Sequence, residues 1–249
     1  STRFTADAYK ADAALPVQLM PMLVDVSPSA GFSRLDFGLP SDAFLFCFSF
    51  DCSSSIRRKN PWAVLEAFQS AFPLSEGAHV GLVVKVMRGQ LRKPAYRRLL
   101  QRAESDHRIY LLEETLPRDV LLDLYRVCDA YVSLHRCEGF GRGMAEAMLL
   151  DKPVIATGYS GNIDFCTDDT ALVVPAPLRQ VLPGEYPEAQ GMQWAEPDTH
   201  LAAEAMRQCA FEKWLPDAGA VAEVKDRYSA QRVGSHYLQR LEKLMANMV

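Results

Sequence analysis

The sequence lacks the features of several common classes of protein. No apolar run is long enough to span a bilayer, and no secretory signal opens the chain. The six cysteines include no CxxC pair and no Cys/His set with metal spacing. The formal net charge is -4, so the surface has no general attraction to nucleic acid or to an anionic membrane. We therefore expect a cytoplasmic protein with reduced thiols, in which a local basic cluster binds any anionic ligand.

Several familiar catalytic and nucleotide-binding motifs are also missing. The chain has no GxGxxG after its first strand and no GxxxxGK[ST], so neither a dinucleotide site nor a P-loop is indicated. It has no GxSxG, no HExxH and no DxD. The sequence therefore predicts no bound metal and no cofactor.

The pattern that is present alternates between apolar runs and amphipathic stretches. This alternation is typical of an α/β fold, a Rossmann-like parallel sheet with helices on both faces. A helical tail is expected at 199–213 and 229–248, a long loop at 175–198, and a short strand at 17–20. The predicted sheet strands are 44–50, 79–87, 109–112, 130–135, 153–157 and 171–174, and the predicted helices are 61–72, 93–104, 118–128 and 143–150.

The strongest candidate for a binding site is the junction between the strand 130–135 and the next helix. Gly139, Gly141 and Gly143 let the backbone approach a ligand closely, and the first N–H groups of the helix can bind an anion. Glu138 and Glu146 flank these glycines and can address the same ligand. By itself this junction is equally well explained as a glycine-rich turn followed by an ordinary helical carboxylate.

Other polar residues are predicted at the same edge of the sheet, where ligands bind in folds of this kind. The segment 53–61 brings three cations, Arg57, Arg58 and Lys59, to the loop after the first strand, although a solvated basic turn is the simpler interpretation of this segment alone. The additional candidates are Ser53 in that loop, Lys85 in an apolar strand, His135 beside Glu138, and Gly161 and Asn162 in a further glycine-containing loop.

Taken together, these motifs resemble a known family. Residues 138–146 form an E-x7-E motif, and residues 146–157 continue as EAMLLDKPVIAT. With the segments 58–61 and 160–162, they are similar to the glycosyltransferase group 1 family, over most of residues 40–175. The resemblance implies the C-terminal domain of a GT-B glycosyltransferase. Residues 1–40 would then be an interdomain linker with a first strand, and residues 41–249 the nucleotide-sugar-binding domain.

The resemblance also implies a role for each matching residue. Glu138 is expected to contact the donor sugar, and Glu146 the ribose. Arg58 and Lys59 are expected to bind the diphosphate and stabilise the leaving group, although Arg57 remains an alternative to Arg58. The remaining donor-binding residues would be Gly139, Phe140, Gly141 and Arg142. From the topology of the sheet, rather than from the resemblance, residues 112–116 are expected to contact the base.

The expected activity is transfer of a hexose from a UDP- or GDP-sugar to a glycan or other acceptor, with retention of configuration. Members of the family carry an N-terminal acceptor domain, which we expect to be supplied to this chain in cis or in trans. We therefore expect the chain alone to be inactive. The missing part could hold the protein at the inner membrane face. A donor subunit of a split enzyme, a non-catalytic sugar-nucleotide-binding module and a nucleotide-sugar epimerase remain alternatives.

Overall fold

The computed structural model describes residues 1–11, 13–89 and 94–246, and its centre is a six-stranded parallel sheet. The strand order is β3-β2-β1-β4-β5-β6, which is the Rossmann order. This confirms the predicted Rossmann-like α/β fold. The strands are β1 (Phe44–Asp51), β2 (Val80–Met87), β3 (Ile109–Leu112), β4 (Ala130–Ser133), β5 (Val154–Thr157) and β6 (Leu172–Val174).

The helices cover both faces of the sheet. One apolar cluster joins α3, α4 and α7 to the sheet, and a second joins α5, α6 and α8 to the opposite face. Burial on both faces explains why β1 and β2 are almost continuously apolar. The helices are α1 (Arg3–Lys10), α2 (Ile56–Lys59), α3 (Pro61–Ala71), α4 (Pro94–Glu104), α5 (Arg118–Val127), α6 (Arg142–Leu149), α7 (Thr199–Phe211), α8 (Ala218–Arg227) and α9 (Ala230–Ala246).

Most of the predicted elements form within one or two residues of their expected bounds, but the structure corrects three expectations. The segment 17–20 has no regular secondary structure, so the predicted strand there is wrong. The expected loop 175–198 contains an antiparallel hairpin of β7 (Leu178–Gln180) and β8 (Gln193–Ala195). The tail contains α8 between its two predicted helices. Lys93 of the predicted helix 93–104 and residues 247–248 of the tail lie outside the described residues.

The N-terminal segment, which is the part of the chain before β1, contacts the sheet and its loops at two places. Arg34 donates hydrogen bonds to the carbonyl groups of Val127 and Ala43, at 2.9 and 2.7 Å, and pairs with Asp129 at 2.7 Å. These contacts fix the segment beside the start of β1. At the other edge of the sheet, α1 packs on the 3₁₀ turn Gly161–Asp164. The N-terminal segment therefore makes contacts near both the amino ends and the carboxyl ends of the parallel strands.

Among the described residues, no helix is long and apolar enough to cross a membrane. The same residues contain no cluster of three His, Cys, Asp or Glu side chains that could hold a metal ion. All six cysteines are free thiols, and every one except the half-buried Cys137 is buried.

Candidate functional site

A cleft of about 450 Å³ opens at the carboxyl ends of β1 and β4. These neighbouring strands lie where the strand order reverses direction, which is the usual ligand-binding position in an open α/β sheet. The lining comes from β1, β2, β4, α2, α5, α6 and the loop before α6. It comprises Ser49, Phe50, Asp51, Lys59, Met87, Arg118, Leu121, Tyr125, Tyr131, Ser133, Glu138, Phe140, Gly141, Arg142, Gly143, Met144 and Glu146.

The amino end of α6 forms one wall of this cleft. Gly141 precedes the helix with φ of 91°, a conformation that side chains rarely adopt. A Cβ at this position would also overlap the Met144 side chain. The N–H groups of the first helical turn have no partner within the helix, and the helix dipole favours negative charge there. The wall is therefore suited to binding an anion.

A cluster of three charged side chains lies beside that wall. The Lys59 ammonium contacts Glu138 Oε1, and Arg58 Nη1 lies 3.2 Å from Glu138 Oε2. Burial raises the pKa of the Glu138 carboxyl, but Lys59 and Arg58 outweigh burial and lower that pKa below its ordinary value. Glu138 is therefore ionised, and the cluster carries one excess positive charge.

The neighbouring cation Arg57 is directed elsewhere. Its side chain is half exposed and lies 3.7 Å from Glu185. Arg58, in contrast, donates to the Cys137 carbonyl at 2.6 Å. Of the two arginines, the structure thus brings Arg58 to Glu138.

A second carboxylate lies deeper in the cleft. Glu146 is 2% exposed, and its Oε1 accepts a hydrogen bond of 2.8 Å from Arg118 Nη1. Burial raises the pKa of Glu146, and the hydrogen bond from Arg118 opposes this rise. Three hydroxyl groups in the lining also contact one another: that of Ser49 lies 2.6 Å from that of Tyr125 and 2.9 Å from that of Tyr131.

The loop that carries Glu138 is held by the loop after β5. The N–H of Glu138 donates to Ser160 Oγ, and the N–H of Gly161 donates to the Glu138 carbonyl, both at 2.8 Å. From the other side, the Thr2 hydroxyl donates to the Gly139 carbonyl at 2.7 Å. The position of Glu138 therefore depends on contacts from two distant parts of the chain.

Substitution of Gly161 by alanine is expected to destabilise this arrangement. A Cβ there would overlap the carbonyl group of Gly139 and come within 2.9 Å of Thr2 Oγ1. We expect Gly161→Ala to lower the free energy of unfolding by roughly 1–3 kcal/mol, the usual cost of overpacking. Gly139→Ala is the matched control, because its Cβ would meet only Thr5 Cγ2 at 3.5 Å. Urea unfolding of both variants tests this, and equal stability would contradict the close packing of the two loops.

His135 lies beneath the same loop and is fully buried. Burial, with Lys59 and Arg58 nearby, lowers its pKa to about 4. Asn162 is close enough to raise that pKa slightly, but neither ring nitrogen forms a hydrogen bond of good geometry with a described residue. His135 is therefore neutral at physiological pH, and its buried ring does not line the cleft.

This burial makes stability depend on pH. The folded pKa of about 4 lies below the ordinary value of 6.5, so the unfolded chain binds more protons between these values. His135 should therefore cost stability as the pH falls from 6.5 toward 4, by about 1.4 kcal/mol per pH unit within that range. In His135→Gln this loss should be absent. Urea unfolding at a series of pH values measures the difference, and parallel pH profiles would contradict the assignment.

The structure places the predicted site residues in three groups. Lys59, Glu138, Phe140, Gly141, Arg142 and Glu146 line the cleft. A second group, Arg58, Gly139, Gly161, Asn162 and His135, lies around the loop that carries Glu138 without lining the cleft. Ser53 and Lys85 lie apart from both groups.

Ser53 and Lys85 have other partners. The Ser53 hydroxyl is exposed and accepts a hydrogen bond of 2.7 Å from Arg88. Lys85 is 1% exposed, and its ammonium donates to the carbonyl groups of Val86 and Glu114. The prediction that Lys85 belongs to the ligand-binding site is therefore wrong, because its ammonium is buried against backbone carbonyl groups and does not line the cleft.

Several residues of the cleft belong to no sequence motif. They are Arg118, Ser49, Tyr125 and Tyr131. Ser49 was detectable in principle, because it is a polar residue inside the apolar strand β1. The contribution of α5 depends on how this helix packs against α6, which no local motif reveals.

A wider groove of about 960 Å³ lies between the N-terminal segment, α8 and α9. Four of its charged side chains pair with one another, Arg3 with Asp164 and Arg232 with Asp226. It contains neither the glycine-rich loop nor the amino end of α6. We therefore place the candidate site in the smaller cleft.

Chemically, the cleft combines anion-binding groups with hydrogen-bond acceptors. Lys59 and the amino end of α6 can bind a diphosphate, while the carboxylates of Glu138 and Glu146 can accept hydrogen bonds from hydroxyl groups. These features would allow a ligand that carries both phosphate and sugar groups to be held by the protein side chains and backbone.

Comparison with known proteins gives the following matches. A model of the family described as glycosyl transferases group 1 matches residues 52–180, which are 129 of the 249 residues. A search of curated proteins finds no match. Among solved structures, sucrose-phosphate synthase from Thermosynechococcus elongatus is similar with a TM-score of 0.70 and 17% identity, over 99% of this chain and 58% of that one.

Two further structures show the same similarity of fold. Anabaena HepE in complex with UDP-glucose has a TM-score of 0.62 and 18% identity, over 86% of this chain and 51% of that chain. The α,α-trehalose 6-phosphate synthase of Burkholderia multivorans has a TM-score of 0.65 and 14% identity, over 92% and 51%. The chain thus spans little more than half the length of these enzymes, and its fold is that of the C-terminal domain of a GT-B glycosyltransferase, as predicted.

Proposed function

Because the chain belongs to the glycosyl transferases group 1 family, we propose that it binds a nucleotide diphosphate sugar in the cleft between β1 and β4. In this proposal it is the donor-binding domain of a retaining, metal-independent glycosyltransferase. The donor is a UDP- or GDP-sugar, and a hexose is transferred to a glycan or another acceptor.

One observation carries the proposal. Lys59, the amino end of α6 and the carboxylates of Glu138 and Glu146 all meet in a single cleft. A nucleotide sugar has a diphosphate between the ribose and the donor sugar, both of which carry hydroxyl groups. It therefore complements a cleft that combines anion-binding groups with two carboxylates. Anabaena HepE is a protein of similar fold, and its crystal structure in complex with UDP-glucose supports a ligand of this kind.

Each group has a distinct role in the proposed reaction. Lys59, supported by Arg58, and the N–H groups of α6 contact the diphosphate and stabilise the negative charge that grows on it as the bond to the sugar breaks. This is electrostatic stabilisation by groups already in position. Glu138 accepts hydrogen bonds from the donor sugar, and Glu146 from the ribose.

The acceptor site is proposed to lie on a further domain, in cis or in trans. This chain covers 58% of sucrose-phosphate synthase, so a comparable enzyme has room for such a domain. We accordingly expect this chain alone to bind the donor without transferring its sugar. A cytoplasmic location, with membrane attachment through the further domain, is consistent with a nucleotide-sugar donor.

Thermal unfolding with UDP, GDP, ADP and dTDP tests the proposal. A ligand that binds only the folded state, present at 100 times its dissociation constant, adds about 2.7 kcal/mol of stability. We expect one of these diphosphates to stabilise the chain, and Glu146→Ala to lose most of that effect. If no diphosphate stabilises the wild-type chain, donor binding by this chain is contradicted.

A further inference from the structure

Arg118 occupies a position in the cleft for which neither the motifs nor the family resemblance supplied a role. It is the first residue of α5, and its side chain is half exposed toward the cleft. One end of the guanidinium donates to Glu146 Oε1 at 2.8 Å, and the other donates to the Asp25 carbonyl at 2.7 Å. The group is thus held at both ends, which fixes its orientation.

Glu146 depends strongly on this contact. The only other cation within 4 Å of its carboxylate, among the described residues, is Arg142 at 3.8 Å. No described residue donates a hydrogen bond to Glu146 Oε2. One carboxylate oxygen is therefore braced by Arg118, and the other is left to accept hydrogen bonds from a ligand in the cleft.

We propose that Arg118 is a positioning residue for donor binding, which holds the buried Glu146 carboxylate in place to accept hydrogen bonds from the two ribose hydroxyls. The inference rests on the proposed function and deepens it. A buried carboxylate without a partner would lose its charge or rotate away, and either change would weaken its bond to a diol.

The structure also suggests why arginine is suited to this position. A guanidinium donates in two fixed directions, here to α6 and to the N-terminal segment, whereas an ammonium is a point charge. Lysine at this position would preserve the charge but not both directional contacts. Arg118→Lys should therefore recover only part of what Arg118→Met loses.

The opposite role for Arg118 is that of a competitor. If the guanidinium merely occupied the site of the ribose, its removal would free Glu146 and strengthen nucleotide binding. The two roles thus predict changes of opposite sign in one measurement.

The experiment measures dissociation constants by calorimetry for UDP and GDP, each beside its 2′,3′-dideoxy analogue. For the ribonucleotide that binds, we expect Arg118→Met to weaken affinity by about tenfold, the range of a hydrogen bond to a charged group. Affinity for the dideoxy analogue should change by less than about twofold. A purely structural role of Arg118 would weaken both ligands equally.

Two further variants complete the test. Adding Arg118→Met to Glu146→Gln should cause no further loss, because the positioning residue acts only through Glu146. Arg126→Met is the matched control on the same helix, since Arg126 pairs with Asp123 instead of a cleft residue. It should leave the affinity for both nucleotides unchanged.

The pH dependence supplies a second readout. Glu146 faces Arg118 on α5, Arg142 on its own helix, and the hydroxyls of Tyr125 and Tyr131. Burial raises its pKa, and loss of Arg118 should raise that pKa further. Ribonucleotide affinity should therefore fall more steeply in Arg118→Met than in the wild type as the pH is lowered from about 8 to about 5.5.

The outcomes separate this inference from the proposed function. If the wild type binds a ribonucleotide and Arg118→Met binds it equally or more tightly, only the role of Arg118 is overturned. The same conclusion follows if the ribonucleotide and its dideoxy analogue lose affinity equally. If the wild type binds neither UDP nor GDP, the proposed donor and the role of Arg118 are both rejected.

Discussion

Replacing Lys59 with methionine is expected to weaken nucleoside diphosphate binding by roughly 10- to 150-fold, corresponding to 1.5–3 kcal/mol for a hydrogen bond to a charged group. Among the three neighbouring cations Arg57, Arg58 and Lys59, Lys59 is the one that lines the cleft, beside the amino end of α6. Methionine keeps most of the side-chain length and removes the charge. The remaining groups would then have to neutralise the diphosphate alone. Calorimetric titration with the diphosphate that stabilises the wild-type chain measures the effect.

The control for this change is Lys225→Met. Lys225 forms an ion pair with Asp151 outside the cleft, so its loss changes the net charge equally without touching the candidate site. We expect the control to bind within about twofold of the wild type. If Lys59→Met and the control bind equally well, Lys59 does not contact the diphosphate.

Glu138→Gln is expected to have the opposite effect on the same ligand. In the structure, Glu138 contacts both Lys59 and Arg58, the cations proposed to bind the diphosphate. An incoming diphosphate must compete with this carboxylate and withstand its negative charge. Removing the charge should tighten binding of the free nucleoside diphosphate by about fivefold or more, because the negative charges of Glu138 and of the diphosphate repel each other in a half-buried site.

The same substitution should have a different effect on a complete nucleotide sugar. Because Glu138 is proposed to accept hydrogen bonds from the donor sugar, the variant should lose most of the preference for the nucleotide sugar over the free diphosphate. Glu76→Gln, which removes a surface carboxylate paired with Arg207, is the control. Unchanged affinity of Glu138→Gln for both ligands would show that this carboxylate faces neither the diphosphate nor the sugar.

These opposed effects suggest how the product leaves. In the proposed reaction, Glu138 would lose its hydroxyl partners once the sugar is transferred and could then contact Lys59 and Arg58 again. The returning carboxylate would weaken the hold on the nucleoside diphosphate. A slower release of the diphosphate from Glu138→Gln than from the wild type, measured by stopped-flow displacement, is the expected consequence.

The sheet could be predicted from the sequence because its strands are buried on both faces. Runs such as those of β1 and β2 are apolar over most of their length, and each is followed by a helix with apolar residues at helical spacing. The missed elements lack these signals. In α1 only Ala6 is buried, and α8 buries only Val221 and Val224. The hairpin of β7 and β8 has strands of three residues, whose pairing arises from contacts across a turn.

Residues of the site were predictable where one segment of the chain carries them. The motif from Glu138 to Glu146 lies on one loop and the helix that follows it, so both carboxylates could be assigned to one site once the other motifs of the family were found beside it. The role of Lys85 could not be inferred this way. A lysine in a buried strand needs partners, but one of the two carbonyl groups that Lys85 contacts belongs to Glu114, 29 residues away. The choice between Arg57 and Arg58 likewise depended on the orientation of the short helix α2.

Hydrogen-exchange mass spectrometry of the chain, with and without a saturating nucleoside diphosphate, tests the central claim most directly. We predict slower exchange in two segments. Residues 56–61 contain α2 with its three cations, and residues 139–146 contain the glycine-rich loop and the amino end of α6. No such change should occur along α8 and α9, which line the wider groove. Protection confined to that groove, or unchanged exchange at 139–146 when binding is saturated, would contradict a donor site in the cleft between β1 and β4.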